Sequence, residues 1–278
     1  LFKDGLDAKI INLPKAQENY AELLLSIMPE GISSILEVGC GSGRFAYNLS
    51  EKGYKVECVT PQSQLADYAE DLLIGKANVN KSKYEDFNTS KKYDLILFSE
   101  SFQYIKMKDS ISKSIRLLNP GGFILIADFF QTDAEGKSAL GGGHKFSAWQ
   151  EMLSESDLEV QFQKDITHLT APTIDIADQL SKELAFPIWK LILNGLGSKY
   201  PTVLRFLRWK YANKINKIEH TYFSGEMNGD NFKNLDNRLL SLLLVKNGMT
   251  EAVIFGPDGE NMQPSDLLYR KSLKNKPL

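Results

Sequence analysis

Three glycines stand at alternate positions in the segment ILEVGCGSGRF, residues 35–45, directly after an apolar run. Gly39, Gly41 and Gly43 carry no side chain, so a ligand can approach the backbone closely there. A helix predicted to begin near Arg44 would direct its first free N–H groups, with their partial positive charge, to the same place. The segment therefore predicts a nucleotide-binding loop between a strand and a helix.

A carboxylate, Glu37, lies just before this loop. A carboxylate would repel a bare pyrophosphate, so its presence favours a ligand that carries a cationic group. The glycine spacing also differs from the dinucleotide fingerprint Gly-x-Gly-x-x-Gly, because Arg44 occupies the place of the third glycine. Both features argue against a nicotinamide dinucleotide.

The loop EVGCGSG closely resembles the first motif of class I S-adenosylmethionine (SAM)-dependent methyltransferases. YDLILFSESFQYI at 93–105 and RLLNPGGFILIADF at 116–129 resemble that family's fourth-strand and fifth-strand segments, the second with the characteristic Pro-Gly-Gly turn. The resemblance covers residues 15–168, extends to 238–246, and is loose over 170–236. It implies SAM as cofactor, S-adenosylhomocysteine (SAH) as product, and no metal.

The resemblance also implies which residues bind SAM. The loop would lie against the methionine part, and the acid before it would help to hold the amino group. Thr60 stands where the family usually has an acid for the ribose hydroxyls, so Gln62 or Gln64 is expected to assist. Glu85 or Asp86 is expected at the adenine amine, with a solvated turn as the alternative for each. The expected cofactor-binding residues are Glu37, Gly39, Cys40, Gly41, Gly43, Thr60, Gln64, Glu85, Asp86 and Ser99.

The acceptor of the methyl group is expected beyond the carboxyl ends of the strands, near residues 99–104, 128–131 and 165–168. Methyl transfer from a sulfonium mainly requires alignment and desolvation of the acceptor, and a base only when the acceptor must lose a proton. The catalytic candidates are Glu100, Tyr104, His144 and His168, and a surface or structural role is the alternative for each histidine. The expected substrate-binding residues are Gln103, Tyr104, Phe130, Trp189 and Tyr211.

Strands and helices alternate along the first half of the chain, and the strands are near-continuous apolar runs. With the resemblance, this predicts an α/β fold: a Rossmann-like, doubly wound, mostly parallel seven-stranded sheet with helices on both faces. Helical patterns at 174–195 and 202–222 fall between the sixth and seventh strands, where the family's enzymes for bulky small molecules often carry a helical lid. We therefore expect a SAM-binding core at 1–169 and 237–278 and a helical lid at 170–236.

Bulk properties limit the partners. The chain has 278 residues, a formal net charge of −2 and two cysteines. These values argue against nucleic acid as the main partner and against a disulfide scaffold, and they favour a cytoplasmic setting. We expect a monomer or a homodimer, and the sequence does not decide between them. No apolar run is long enough to span a membrane, and the histidines and cysteines lack zinc-like spacing. A basic face on the helix at 202–222 is a solvated face, or alternatively contacts an anionic acceptor or, transiently, a membrane surface.

The sequence thus predicts a SAM-dependent methyltransferase that acts on a small, partly apolar metabolite, lipid or natural-product intermediate. Two alternatives stay open at this point: a non-catalytic SAM- or SAH-binding protein and, less favoured, an NAD(P)-dependent oxidoreductase. The pattern does not distinguish carbon, nitrogen, oxygen and sulfur as the atom that is methylated.

Overall fold

The computed structural model describes residues 1–133, 143–224 and 238–247. These residues form two compact units. The sheet unit contains residues 26–129, 144–164 and 241–247, and the helical unit contains residues 1–25, 130–133, 143, 165–224 and 238–240.

The strands of the sheet do not lie side by side in the order in which they occur along the chain. The strands are β1 Ser34–Val38, β2 Lys55–Val59, β3 Ala77–Asn80, β4 Tyr93–Ser99, β5 Leu118–Gln131, β6 His144–Lys145, β7 Leu158–Asp165 and β8 Arg238–Asn247. Seven of them follow the spatial order β3-β2-β1-β4-β5-β8-β7. The pairs β2–β3, β1–β2, β1–β4 and β4–β5 are parallel. The predicted Rossmann-like sheet is confirmed. The short β6, which pairs with β5, was not predicted.

Helices connect the strands of the sheet unit. They are α2 Arg44–Glu51, α3 Ser63–Leu72, α4 Met107–Leu117 and α5 Phe146–Ser154. The last four residues of β1 are buried on both faces, as expected of a central parallel strand between two helical layers. Ala46 and Leu49, on the inner face of α2, are also buried. The continuous apolar runs of the sequence are explained by this burial.

The segment 119–122, Asn-Pro-Gly-Gly, differs from the prediction. It was expected to be a turn before a strand at 123–129, but β5 already begins at Leu118. Tyr93 pairs with Leu118, and Leu95 pairs with Phe123, so extra residues of β5 bulge out between the two pairs. The local turn signal therefore produces a β-bulge inside a longer strand.

Asp94 ties three strands together at their amino ends. Its Oδ2 accepts hydrogen bonds from the backbone N–H groups of Ser33 and Ser34, at 3.0 and 2.9 Å. Its Oδ1 accepts one from the side-chain amide of Asn119 at 2.7 Å. These bonds fix the starts of β1, β4 and β5, and so help to set where the strands end at the opposite edge.

The helical unit contains α1 Leu13–Ser26, α6 Thr167–Leu180, α7 Phe186–Lys199, α8 Pro201–Lys210 and α9 Ala212–Phe223. The sequence predicted two helices, at 174–195 and 202–222, but the structure divides this part of the chain into more elements. A π-helical turn, Ser181–Ala185, joins α6 to α7, so helix runs from residue 167 to 199. Proline restricts the residue before it, which explains why this helix ends at Lys199 and Tyr200, directly before Pro201, is not helical.

Contacts within the helical unit link the start of the chain to α6. The backbone N–H of Phe2 donates to the carbonyl of Leu169 at 3.1 Å. The buried side chains of Phe2, Ala16 and Ile176 form a small apolar core. Among the described residues, no helix is long and apolar enough to cross a membrane.

Candidate active site

The carboxyl ends of the parallel strands meet at one edge of the sheet unit. Each strand there is followed by a residue whose backbone N–H bonds to the neighbouring strand or its end. Gly39 donates to Val59 at 2.7 Å, and Glu100 donates to Ala127 at 2.8 Å. Thr60, which is buried and follows β2, donates its backbone N–H to the carbonyl of Asn80 at 3.0 Å. The structure therefore brings together the residues that follow β1, β2 and β4, as the sequence predicted.

The three glycines of the loop after β1 have different tasks, although all have positive φ angles of 80°, 56° and 80°. A Cβ on Gly39 would lie 2.4 Å from the Cβ of Ser101, and one on Gly43 would lie 3.0 Å from the Cβ of Ala69. A Cβ on Gly41 would meet no atom within 4 Å. Gly39 and Gly43 are thus required by packing, and the open space that a ligand needs lies at Gly41.

Glu37 is a buried carboxyl group next to this loop. The residue is 3% exposed, and its Oε2 has no hydrogen-bond partner in the described part of the chain. Burial raises the pKa of Glu37 to about 8. An unsatisfied buried acceptor is costly, so such a group is expected to receive a partner from a ligand. The arrangement fits a ligand with a cationic nitrogen, as the amino group of SAM would supply.

Asp128, near the end of β5, lies in the segment 128–131 that was expected near the acceptor, but the sequence analysis gave it no individual role. It is fully buried, with its Oδ2 accepting from the backbone N–H of Gln103 at 3.0 Å and its Oδ1 accepting from that of Phe129 at 2.7 Å. Burial raises its pKa to about 6. Its bond to Gln103 anchors the 3-10 turn Phe102–Tyr104 that follows β4. Its place at the carboxyl end of an apolar strand was the sequence signal for it, but its bond to Gln103 was not predicted.

Several acceptor-side candidates surround this turn. Glu100 has a φ of 56°, unusual for a residue other than glycine, and is solvent-exposed. Although the residue as a whole is exposed, nearby atoms partly desolvate its carboxyl group and raise the pKa of Glu100 above the ordinary value. Tyr104 is 79% exposed. His144 lies with its Nε2 3.0 Å from the carbonyl oxygen of Phe102, and the two rings meet edge to face.

The remaining candidates in the sheet unit are more scattered. Cys40 is buried in the glycine loop, Ser99 ends β4, and Gln64 is exposed in the first turn of α3. Glu85 and Asp86 are both exposed after β3. The carbonyl of Glu85 accepts a hydrogen bond from Lys113 of α4 at 2.9 Å, beside a groove of about 640 Å³ between α4 and the segment 85–92. The expected roles of these residues stay predictions.

Other candidates belong to the helical unit. His168 is exposed at the start of α6, and the carboxylate of Asp165 accepts the backbone N–H of Thr167 at 2.8 Å. Phe130 is fully buried. The indole N–H of Trp189 in α7 donates to Glu219 of α9 at 3.2 Å.

Tyr211 lies at the break between α8 and α9 and is 40% exposed. In the part of the chain described, no three His, Cys, Asp or Glu residues are grouped so that they could hold a metal ion.

Comparison with known proteins identifies the family. Residues 13–165, more than half of the chain, match the family described as "Methyltransferase domain". A curated relative, malonyl-[acyl-carrier protein] O-methyltransferase 2 of Ilyobacter polytropus, is 25% identical over 227 residues, which are 78% of this chain and 85% of that protein.

Solved structures share the fold. Geranyl diphosphate C-methyltransferase from Streptomyces coelicolor A3(2), solved with Mg²⁺, geranyl diphosphate and SAH, gives a TM-score of 0.63 at 15% identity, with 86% of this chain and 82% of that chain covered. The O-methyltransferase of a trans-AT polyketide synthase multienzyme of Brevibacillus brevis, in complex with SAH, gives 0.55 at 15% identity, with 89% and 82% covered.

The matched residues include the glycine loop and the segments 93–105 and 116–129, on which the predicted resemblance depended. The alternative of a nicotinamide-dependent oxidoreductase receives no support from it. The chain belongs to the methyltransferase-domain family and is a SAM-dependent methyltransferase.

Proposed function

We propose that this enzyme transfers the methyl group of SAM to an oxygen of a small, partly apolar acyl compound. The observation that carries the proposal is the pair of unlike acids at one sheet edge. Glu37 is buried with an unsatisfied oxygen, and Glu100 is exposed beside an anchored turn. The first suits the ammonium group of SAM, and the second suits an acceptor that arrives from solvent.

The cofactor half of the proposal rests on the loop after β1. The space at Gly41 accommodates the methionine part of SAM, and Glu37 accepts hydrogen bonds from its amino group. No side chain caps α2, so its first N–H groups are available to the SAM carboxylate. Thr60 with Gln64 would contact the ribose, and Glu85 or Asp86 the adenine. Cys40 and Ser99 complete the expected set, and no metal is required.

The acceptor half rests on the turn that Asp128 anchors. Gln103 and Tyr104 would orient the acceptor, and His144 contacts the same turn at the carbonyl oxygen of Phe102. During transfer a bond forms between the acceptor oxygen and the methyl carbon while the carbon–sulfur bond of SAM breaks, and SAH leaves. A carboxylate acceptor needs no base. A hydroxyl acceptor gives its proton to Glu100, whose raised pKa makes it a better base than an ordinary carboxylate.

An acyl acceptor is supported by the curated relative, whose name specifies malonyl-[acyl-carrier protein] and O-methylation. The match to the methyltransferase domain ends at residue 165, directly before α6. We therefore propose that residues 170–236 supply acceptor specificity, through Trp189 and Tyr211, together with Phe130. Residues 1–169 and 237–278 would then form the common SAM-binding core.

The test is an acceptor screen that measures SAH and the methylated product by mass spectrometry. The panel contains a malonyl thioester, a hydroxyacyl thioester, an apolar phenol and an apolar amine. Methylation of an oxygen of either thioester confirms the proposal, whereas methylation of the phenol or the amine alone would contradict it.

A thermal shift with SAM, SAH, NAD and NADP separates cofactor binding from turnover. Ligand at about 100 times its Kd adds roughly 2.7 kcal/mol, a rise of several degrees for a chain of this size. Glu37→Gln should lose the shift with SAM. Glu151→Gln removes an exposed carboxylate from α5 and serves as the matched control. SAM binding without turnover of any acceptor would support a non-catalytic SAM-binding protein instead.

A further inference from the structure

The charge of the chain is distributed very unevenly. Between residues 184 and 218 there are seven Lys and Arg and no Asp or Glu. The whole chain carries −2, so the rest of it carries −9. All seven cations are exposed, and none forms an ion pair with a described residue. They are Lys190, Lys199, Arg205, Arg208, Lys210, Lys214 and Lys217.

The outer face of α8 combines these cations with aromatic side chains. Leu204 and Leu207 are the half-buried residues of this helix, so they mark its inner face. At 100° per residue, Trp209 projects almost opposite to them, with Arg205 and Phe206 on either side. Trp209 is 77% exposed and Phe206 is 52% exposed. Their rings lie 6.0 Å apart, so they form one aromatic patch in solvent.

The outer face of α7 is apolar. Phe186, Trp189, Leu193 and Leu196 are half-buried on one side of the helix. On the other side, Ile188 and Leu191 are 47% and 72% exposed, and Leu184 of the preceding π-helical turn is 57% exposed. A helix with apolar residues on both sides is expected to bury both of them. The two helices are neighbours, since a Cβ on Gly197 would lie 3.2 Å from a methyl group of Leu204.

Exposed aliphatic and aromatic side chains beside lysines without carboxylate partners are characteristic of the membrane interface. Apolar side chains enter the boundary between headgroups and acyl chains, while Lys and Arg extend their charged ends to anionic headgroups. Protein–protein interfaces, in contrast, are depleted of lysine, and five of the seven cations here are lysines. The combination therefore favours a lipid surface over an acidic protein.

We propose that the outer faces of α7 and α8 bind the surface of an anionic phospholipid membrane. We call this the basic–aromatic surface, defined by Lys190, Leu191, Arg205, Phe206, Arg208 and Trp209. Binding is peripheral: the side chains of Leu191, Phe206 and Trp209 insert, and the cations contact lipid phosphates. The inference concerns the helical unit alone and does not depend on the identity of the acceptor.

The test uses vesicles of phosphatidylcholine with or without one-third phosphatidylglycerol. The chain has three tryptophans, of which Trp149 is 1% exposed and Trp189 is half-buried. A blue shift of tryptophan emission on addition of anionic vesicles therefore reports on Trp209. We expect the wild-type enzyme to sediment with anionic vesicles, to show this shift, and to do neither with pure phosphatidylcholine.

Two variants separate the contributions of charge and apolar insertion. Arg205→Gln/Arg208→Gln should weaken binding to anionic vesicles by roughly tenfold or more, and high salt should have the same effect. Trp209→Ser should abolish the blue shift and weaken binding. Lys52→Gln/Lys55→Gln removes two exposed cations from the sheet unit and should bind like the wild type.

Other outcomes would overturn the proposal. Equal binding by the Arg205→Gln/Arg208→Gln variant and the Lys52→Gln/Lys55→Gln control would show that the surface is not the membrane contact. A monomer–dimer equilibrium that Trp209→Ser abolishes, without vesicle binding, would assign the surface to a second copy of the chain. Binding of an acidic carrier protein without vesicle binding would assign it to a protein partner.

Discussion

The Cβ of Ser101 occupies the space in which Gly39 would carry its own side chain. The two residues are 62 positions apart in the sequence, but a Cβ on Gly39 would lie 2.4 Å from that of Ser101. The hydroxyl of Ser101 donates to the carbonyl of Val38, the residue before Gly39. The segment after β4 is thus seated directly on the glycine loop after β1, and the two cannot shift independently.

Replacement of Gly39 by alanine should therefore destabilise the fold. The positive φ costs about 1–2 kcal/mol for a residue with a Cβ, and the overlap with Ser101 adds about 1–3 kcal/mol. Urea denaturation measures the loss. In a Ser101→Gly background the overlap disappears, so Gly39→Ala should cost clearly less there. Equal losses in both backgrounds would show that the contact with Ser101 does not limit residue 39.

Gly41 should respond in the opposite way. Gly41→Ala meets no neighbouring atom, so we expect only the backbone cost of about 1–2 kcal/mol and a retained fold. Gly53→Ala is the matched control, because Gly53 also has a positive φ and open space but lies at the far end of α2. Calorimetry should show SAM binding weakened at least tenfold for Gly41→Ala only. Unchanged binding would mean that SAM does not approach the loop at this residue.

These two glycines show what the sequence could and could not predict. Strands, crossovers and the loop were predictable, because buried parallel strands are continuous apolar runs and glycines mark a close approach. What approaches each glycine was not predictable, since Ser101 reaches Gly39, and Ala69 reaches Gly43, only through the tertiary fold. The same holds for Asp128 of β5, because its partner Gln103 lies in the turn that follows β4. The helical segment was predicted least well, although Pro201 marked the break between α7 and α8.

The pKa of Glu37 predicts how the stability of the free enzyme depends on pH. Its folded value of about 8 lies above the ordinary value of 4.5, so folding holds a proton that the unfolded chain releases. Between pH 4.5 and 8 the free energy of unfolding falls as pH rises, by up to about 1.4 kcal/mol per pH unit. Below pH 4.5 Glu37 is protonated in both states and contributes no pH dependence. Glu37→Gln removes this component, so its stability curve should be flatter than that of the wild type between pH 5 and 8. Parallel curves would show that Glu37 is ionised in the folded enzyme.

Binding of SAM should reverse that protonation. The ammonium group of SAM stabilises the carboxylate, so the pKa of Glu37 falls in the complex and a proton is released near pH 7. Calorimetry in phosphate and in Tris, which differ in ionisation enthalpy, should give close to one proton released by the wild type and none by Glu37→Gln. The affinity of the wild type should increase with pH up to about 8. Binding without proton release would place the SAM amino group away from Glu37.

Asp128 should act on turnover through the turn that it anchors. Asp128→Asn replaces one acceptor oxygen by an N–H donor, which faces a backbone N–H of either Gln103 or Phe129. We expect a loss of about 1–3 kcal/mol in stability and a lower kcat, because the turn that carries Gln103 and Tyr104 loosens. The Kd for SAM should change little, since Glu37 and Gly41 are untouched. Asp71→Asn, on the exposed side of α3, controls for the loss of one charge. A decrease in SAM affinity without a change in kcat would move Asp128 from the acceptor side of the site to the cofactor side.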